Sequence, residues 1–203
     1  MLPFMSLRDR KRARTRQALI NAATELFERQ GYDETTIADI AAAAEIGART
    51  FFSYFASKEE LLFPDADGRV RAAIDAIATR GPDERPADVL LRALGEINDT
   101  SEEMVSPLAA LRLRLIQTVP AVRGRALQVQ LDAQREIARR LAEAFPDQLD
   151  LVRAAALTGA FVGAVSGALQ ALLDSADRAD PAALQAAMRT ATEVALTPWR
   201  RST

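Results

Sequence analysis

Arg49, Thr50, Ser53, Tyr54 and Lys58 stand in one short stretch of the chain. They offer a guanidinium fork, three hydroxyls and an ammonium. These are donors suited to phosphate oxygens and to the acceptor edges of bases. A second cluster precedes them: Arg8, Arg10, Lys11, Arg12, Arg14 and Arg16, with Asp9 the one acid among residues 1–20. Such a run can neutralise phosphates or reach into a minor groove; as a solvated tail it would do neither. The chain has no Cys and no His. That removes disulfides, thiolate or imidazole metal sites, cysteine nucleophiles and Ser-His-Asp chemistry. No paired acids stand on an apolar background, and no Gly-rich phosphate loop appears. The chemistry on offer is holding rather than breaking bonds, so an enzyme, a metal site or a cofactor is not expected.

Net charge is −2, which taken alone argues against an anionic partner. The average hides an asymmetry. Residues 1–20 hold six bases and one acid, a net of +5; by subtraction the remaining residues carry 20 bases and 27 acids, a net of −7. A basic segment on an acidic body points to local contact with an anion.

The elements that must position these residues read as helices. Aromatics are 5% of the 203 residues and Ala fills long stretches, favouring helix over strand. Leu19, Ala22, Ala23, Leu26 and Phe27 share one face of a first helix, about Arg8 to Gln30, and Gly31 is its natural stop. Thr36 with Asp39 resembles a capping box opening a short second helix with Ile37, Ile40, Ala41 and Ala44 inside. A third short helix, about Ala48 to Tyr54, carries Phe51 and Phe55. Ser57-Lys58-Glu59-Glu60 reads as a capping box opening a helix into Leu61-Leu62-Phe63. Pro64 to Gly68 marks a boundary between domains 1–63 and 64–203. Further helices are expected at about 86–98, 102–118, 121–145, 149–175 and 181–196. The fold class is all-α, with about nine helices.

Two short helices joined by a tight turn are a helix-turn-helix candidate. Ala41 is small enough for the crossing, and Ile40, Ile46 and Phe51 stand before, within and after the turn. From Arg14 to Leu62 the chain resembles the DNA-binding domain of tetracycline-repressor-like (TetR/AcrR type) transcriptional regulators. The resemblance rests on Arg14-Thr15-Arg16, Ala22-Ala23 before Leu26-Phe27, Gly31-Tyr32, and Thr35-Thr36-Ile37 with Asp39-Ile40-Ala41. It continues through Arg49-Thr50-Phe51-Phe52, Tyr54-Phe55 and Ser57-Lys58-Glu59. Four positions depart from the usual pattern. Glu45 is where Gly is frequent in the turn. Gly47 is where Ser or Thr often caps the recognition helix. Phe52 replaces a phosphate-touching Tyr, and Ala56 replaces a Pro.

The resemblance implies a DNA face made of Arg12, Arg14, Thr36, Gly47, Ala48, Arg49, Thr50, Phe52, Ser53, Tyr54 and Lys58. Thr50, Tyr54 and Lys58 are implied as phosphate contacts. Arg49 is a base contact, its fork matching guanine O6 and N7, or else a plain phosphate contact or a solvated helix-start side chain. Backbone amides beside Thr36 would point at a phosphate. The implied function is a DNA-binding transcriptional regulator, a repressor that binds an inverted-repeat DNA operator as a homodimer and is released by a small, apolar effector. The alternative is a helical interaction protein that has lost DNA binding, which Glu45 and Phe52 would favour.

Ala155, Gly159, Gly163, Gly167 and Ala171 recur every fourth residue, a groove of small residues along one helix. Each Gly costs about 0.5–1 kcal/mol inside a helix relative to Ala, so close packing must offset it. That packing is either the homodimer interface or a crossing within one subunit. The 20 uncharged residues from Ala154 to Leu173 match a membrane span in length. Their Ala, Gly, Thr158, Ser166 and Gln170 argue instead for a buried interface helix. No membrane partner is expected, and with no signal-peptide pattern a cytoplasmic location follows. Met104, Leu108, Leu111, Leu115 and Phe161 are candidates for an effector-pocket wall, or plain core.

Overall fold

The computed structural model describes residues 6–64, 66–100, 106–174 and 181–201. Among them are nine α-helices, one 3-10 helix and no strand. The helices are α1 (Leu7–Gln30), α2 (Ile37–Ala43), α3 (Ala48–Phe51), α4 (Ala66–Ala78), α5 (Pro86–Thr100), α6 (Pro107–Thr118), α7 (Pro120–Ala144), α8 (Leu151–Asp174) and α9 (Pro181–Arg201). The 3-10 helix (Glu59–Leu62) lies between α3 and α4.

The chain divides into two compact units, one of Met1–Pro64 with Pro107–Arg125, the other of Asp65–Ser106 with Ala126–Thr203. In the first, α1 packs on α2, on α6 and on the 3-10 helix, and α2 packs on α3. Its centre is Leu19, Ile40, Phe51, Phe55, Leu61 and Leu62, all but fully buried. Truncating either phenylalanine to Ala would cost about 3–5 kcal/mol. From α6, Leu108 and Leu111 are buried in this unit too, a helical turn apart. Arg112 beside them is buried, donates to the Leu62 carbonyl at 3.2 Å, and lies over the Phe63 ring.

In the second unit α8 packs on α9, α4 on α5, and α5 on α9. Val89, Leu90, Leu141, Leu157, Met188 and Leu196 form the innermost layer. Helix α9 runs past Pro198 to Arg201, beyond the expected end near 196. Pro198 removes a helix N–H. The end is held instead by Trp199 packing on the core, an Arg200–Asp88 ion pair at 2.8 Å, and a bond from Arg85 to the Arg200 carbonyl.

Two short elements differ from expectation. The recognition segment is α-helical only over Ala48–Phe51. It then tightens: the Ser53 and Tyr54 amides donate three residues back, to Thr50 and Phe51. The expected capping box at Ser57 is replaced by the 3-10 helix, whose cap is Lys58 without a side-chain cap bond. The Glu60 carboxylate instead accepts from the Ala56 amide at 2.5 Å. Pro64 disfavours helical backbone at Phe63, whose ψ is 50°, so no longer helix follows.

Candidate nucleic-acid interface

The basic segment is not a solvated tail but the start of α1. Ser6 caps α1, its hydroxyl accepting from the Asp9 amide at 3.1 Å, and residues 7–16 form the first turns of that helix. Arg12 and Arg16, one turn apart, face the recognition segment. Arg12 donates to the Ser53 carbonyl at 3.1 Å and lies over the Tyr54 ring. Arg16 donates to the Pro64 carbonyl at 2.7 Å and lies over the Phe55 ring. Arg14 is exposed. The i, i+4 spacing of Arg12 and Arg16 opposite adjacent aromatics was a readable signal of this clamp.

Helix α1 stops at Gly31, whose φ of 90° few other residues tolerate. Tyr32 folds back on Phe27, ring centroids 5.2 Å apart. Its hydroxyl donates to Glu59 in a very short bond. Burial, then this bond, pushes the Tyr32 phenol far above its usual range. Burial alone would raise the Glu59 carboxyl, but bonds from Ser57 and Tyr32 outweigh it and hold it low. Helix α2 opens with the capping box read from the sequence. The Asp39 amide donates to the Thr36 hydroxyl at 3.1 Å, and the Thr36 amide returns to the Asp39 carboxylate at 2.9 Å. The Thr36 hydroxyl and amide together hold the Asp39 carboxyl below its usual value.

The turn after α2 closes by two crossed bonds, Ile46 amide to Ala41 carbonyl at 2.9 Å and Glu45 amide to Ala42 carbonyl at 3.0 Å. This is a Schellman ending, and its pivot must be left-handed. The pivot is Glu45 at φ 56°, alone in that region among the described non-glycine residues. Gly47 then caps α3 without a side-chain bond. Phe51 is fully buried and fixes the rotation of α3. Gly47, Ala48, Arg49, Thr50, Phe52 and Ser53 are left exposed. Phe52 is 59% exposed, its ring edge-on to Phe51. Arg49 carries no ion pair among the described residues.

Lys58 is placed differently from its neighbours on that face. Half-buried, it donates to the Tyr32 carbonyl at 2.9 Å and the Thr35 carbonyl at 3.1 Å, and its nitrogen lies 4.0 Å from the Tyr32 ring centroid.

The remaining candidates separate. Leu108, Leu111 and Leu115 belong to the first unit and Phe161 to the second; Met104 lies outside the described residues. The second unit has an open cleft of about 840 Å³ lined by Pro82, Arg85, Pro86, Leu149, Arg153 and Trp199, among others. Two smaller cavities have volumes of about 350 and 330 Å³. None of these is lined by Leu108, Leu111, Leu115 or Phe161. On α8, Ala155, Gly163, Gly167 and Ala171 are exposed and Gly159 half-exposed. A Cβ at any of the three glycines would meet nothing within 4 Å. Leu151–Ala171 is long and apolar enough to cross a membrane by length and composition, and 22% of its most apolar window is buried.

A capped short helix, a Schellman turn and a second short helix with an exposed polar face define a helix-turn-helix module, here within an all-helical chain. Residues 19–63 match the model of bacterial regulatory proteins of the tetR family. The chain is 36% identical over 141 residues to the HTH-type transcriptional regulator TcmR of Streptomyces glaucescens. That alignment spans 67% of this chain and 62% of TcmR, less than two thirds of the relative. Among solved structures it is similar to a candidate TetR-family regulator from Syntrophomonas wolfei (TM-score 0.63, 17% identity, 91% of this chain and 96% of that one). It is also similar to Thermus thermophilus FadR, a TetR-family transcriptional repressor solved with lauroyl-CoA (TM-score 0.53, 20% identity, 89% and 93%). The chain belongs to the tetR family of bacterial regulatory proteins.

Proposed function

We propose that the chain is a cytoplasmic, DNA-binding transcriptional repressor, with residues 1–63 reading DNA and 64–203 binding effector and a second copy. The observation that carries this reading is the exposed face of α3, set on a buried Phe51, within the segment that matches the family. Arg49 is the base-reading side chain; Thr50, Ser53 and Tyr54 hold phosphates beside it. Phe52 supplies apolar contact where a hydroxyl is missing. Backbone amides beside Thr36 and the exposed Arg14 add sequence-independent attraction. Arg12, clamped on Ser53, orients the recognition segment.

The small-residue stripe of α8 supports a homodimer. A Cβ on any of its glycines would meet nothing within 4 Å among the described residues, so close packing within one subunit does not call for glycine there and leaves its cost in helix stability without compensation. A second copy laid along the stripe supplies the missing contacts. Two recognition helices related by a two-fold axis then read an inverted repeat with half-sites about one helical turn, or a multiple, apart. A small apolar effector releases the operator by preferring a dimer whose recognition helices are mis-spaced.

The test is footprinting of purified protein on DNA flanking its own and neighbouring genes. Protection of an inverted repeat, lifted by an added apolar acid or acyl thioester, is the expected result. A folded dimer that protects no repeat would refute it. Salt-independent association with DNA would point instead to an interaction protein.

A further inference from the structure

We propose that Lys58 is a positioning residue for DNA binding, holding the loop between α1 and α2, rather than a phosphate contact. The proposal rests on the DNA-binding reading above. An ammonium has three N–H donors. Two of them are spent on the Tyr32 and Thr35 carbonyls, at 2.9 and 3.1 Å, and the charge rests 4.0 Å from the Tyr32 ring centroid. A phosphate contact would have to break these bonds or share the one donor left.

What Lys58 holds matters more than its charge. Residues 31–36 join α1 to α2 and carry no helical hydrogen-bond ladder of their own. Among the described residues the Tyr32 carbonyl receives only the Thr35 amide besides, at 3.3 Å. Thr35 is fully buried, its hydroxyl tied to the Gly31 carbonyl at 2.7 Å. The next residue, Thr36, starts the α2 capping box. Lys58 therefore grips the loop by its backbone, while its neighbour Glu59 grips the same loop through the Tyr32 hydroxyl. Two consecutive residues following the recognition segment thus fix where α2 begins. They tie the two halves of the helix-turn-helix at a point away from the turn itself. Without Lys58, the Thr35 carbonyl loses this donor, the Tyr32 carbonyl keeps the long bond from the Thr35 amide, and the loop opens locally.

Two measurements on the full-length chain decide this. Hydrogen exchange on the free protein compares wild type with Lys58→Met, which keeps the apolar stem. Exchange at Thr35 and in the first turn of α2 should quicken about tenfold or more while the α1 core stays protected; unchanged exchange there overturns the proposal. DNA affinity is then titrated against salt, counting folded molecules only. The variant should bind at least about tenfold more weakly with an unchanged salt slope. Loss of about 0.9 from the slope means that a phosphate contact has gone, and overturns the proposal. Wild-type affinity per folded molecule overturns it as well, reducing Lys58 to a fold stabiliser. Should Lys58→Met not fold, Lys58→Gln takes its place in both measurements. If the wild type itself binds no DNA, the DNA-binding reading falls, and the exchange result still decides whether Lys58 holds the loop.

Discussion

Replacing Glu45 with Gly should stabilise the protein. Glu45 is the left-handed pivot of the Schellman turn between α2 and α3, at φ 56°. An L-residue with a Cβ pays about 1–2 kcal/mol for that conformation. Glycine avoids the clash but returns part of the gain, about 0.4–1 kcal/mol, through the greater freedom of its unfolded chain. The Glu45 side chain is exposed and makes no ion pair among the described residues, so little else is lost. The net is about 0.5–1 kcal/mol, or ~1–4 °C in melting temperature for a chain of this size. Urea and thermal melts of wild type, Glu45→Gly and Glu45→Ala measure it. Alanine removes the charge but keeps the Cβ, and therefore the strain. Equal stabilisation by Ala and Gly would show that charge, not backbone conformation, sets the effect, and would refute the reasoning.

Other perturbations separate the proposed roles. Arg49→Ala should lose about 1–3 kcal/mol on the preferred operator, roughly 5- to 150-fold, with far less change on random DNA. Competition binding on the two DNAs checks this, and equal losses on both would contradict base reading. Gly163→Leu should leave helicity intact, because nothing stands within 4 Å of a new Cβ, yet convert dimer to monomer in sedimentation equilibrium. A persisting dimer would move the interface off the stripe. Because the Asp39 carboxyl sits below its ordinary value, its cap is fully present above the unfolded value of about 4 and is lost as pH falls through the lowered one. Stability measured between about pH 2 and 6 should fall less steeply for Asp39→Asn than for wild type; parallel curves would remove Asp39 from the acid transition.

Periodicity and end signals made the helices legible. The Thr36–Asp39 box, the Gly31 stop and the apolar face of α1 follow local rules, and local rules are written in consecutive residues. Glu45 was legible as a departure from a turn that favours glycine, and its positive φ explains why glycine is favoured. The misread pieces depended on distant partners. The basic run reads as a DNA contact or a solvated tail, whereas Arg12 and Arg16 find carbonyls and rings far along the chain. Ser57-Lys58-Glu59-Glu60 has the letters of a capping box. It lies, though, beside a proline that halts the helix and a loop that takes both Lys58 and Glu59. No local pattern says that Leu108 and Leu111 pack in the N-terminal unit, because that depends on where α6 lands after two intervening helices.

That placement of α6 bears on how the chain comes off the ribosome. Leu61 and Leu62 are fully buried, and the Leu62 carbonyl accepts a hydrogen bond from Arg112. When residues 1–64 have been made, the 3-10 helix still lacks the face that α6 will cover. The N-terminal unit therefore closes only after α4 and α5 have already emerged. A fragment ending at Pro64 would present the apolar 3-10 helix uncovered and prone to association with other chains. A transplantable version of this unit must carry α6 along with it.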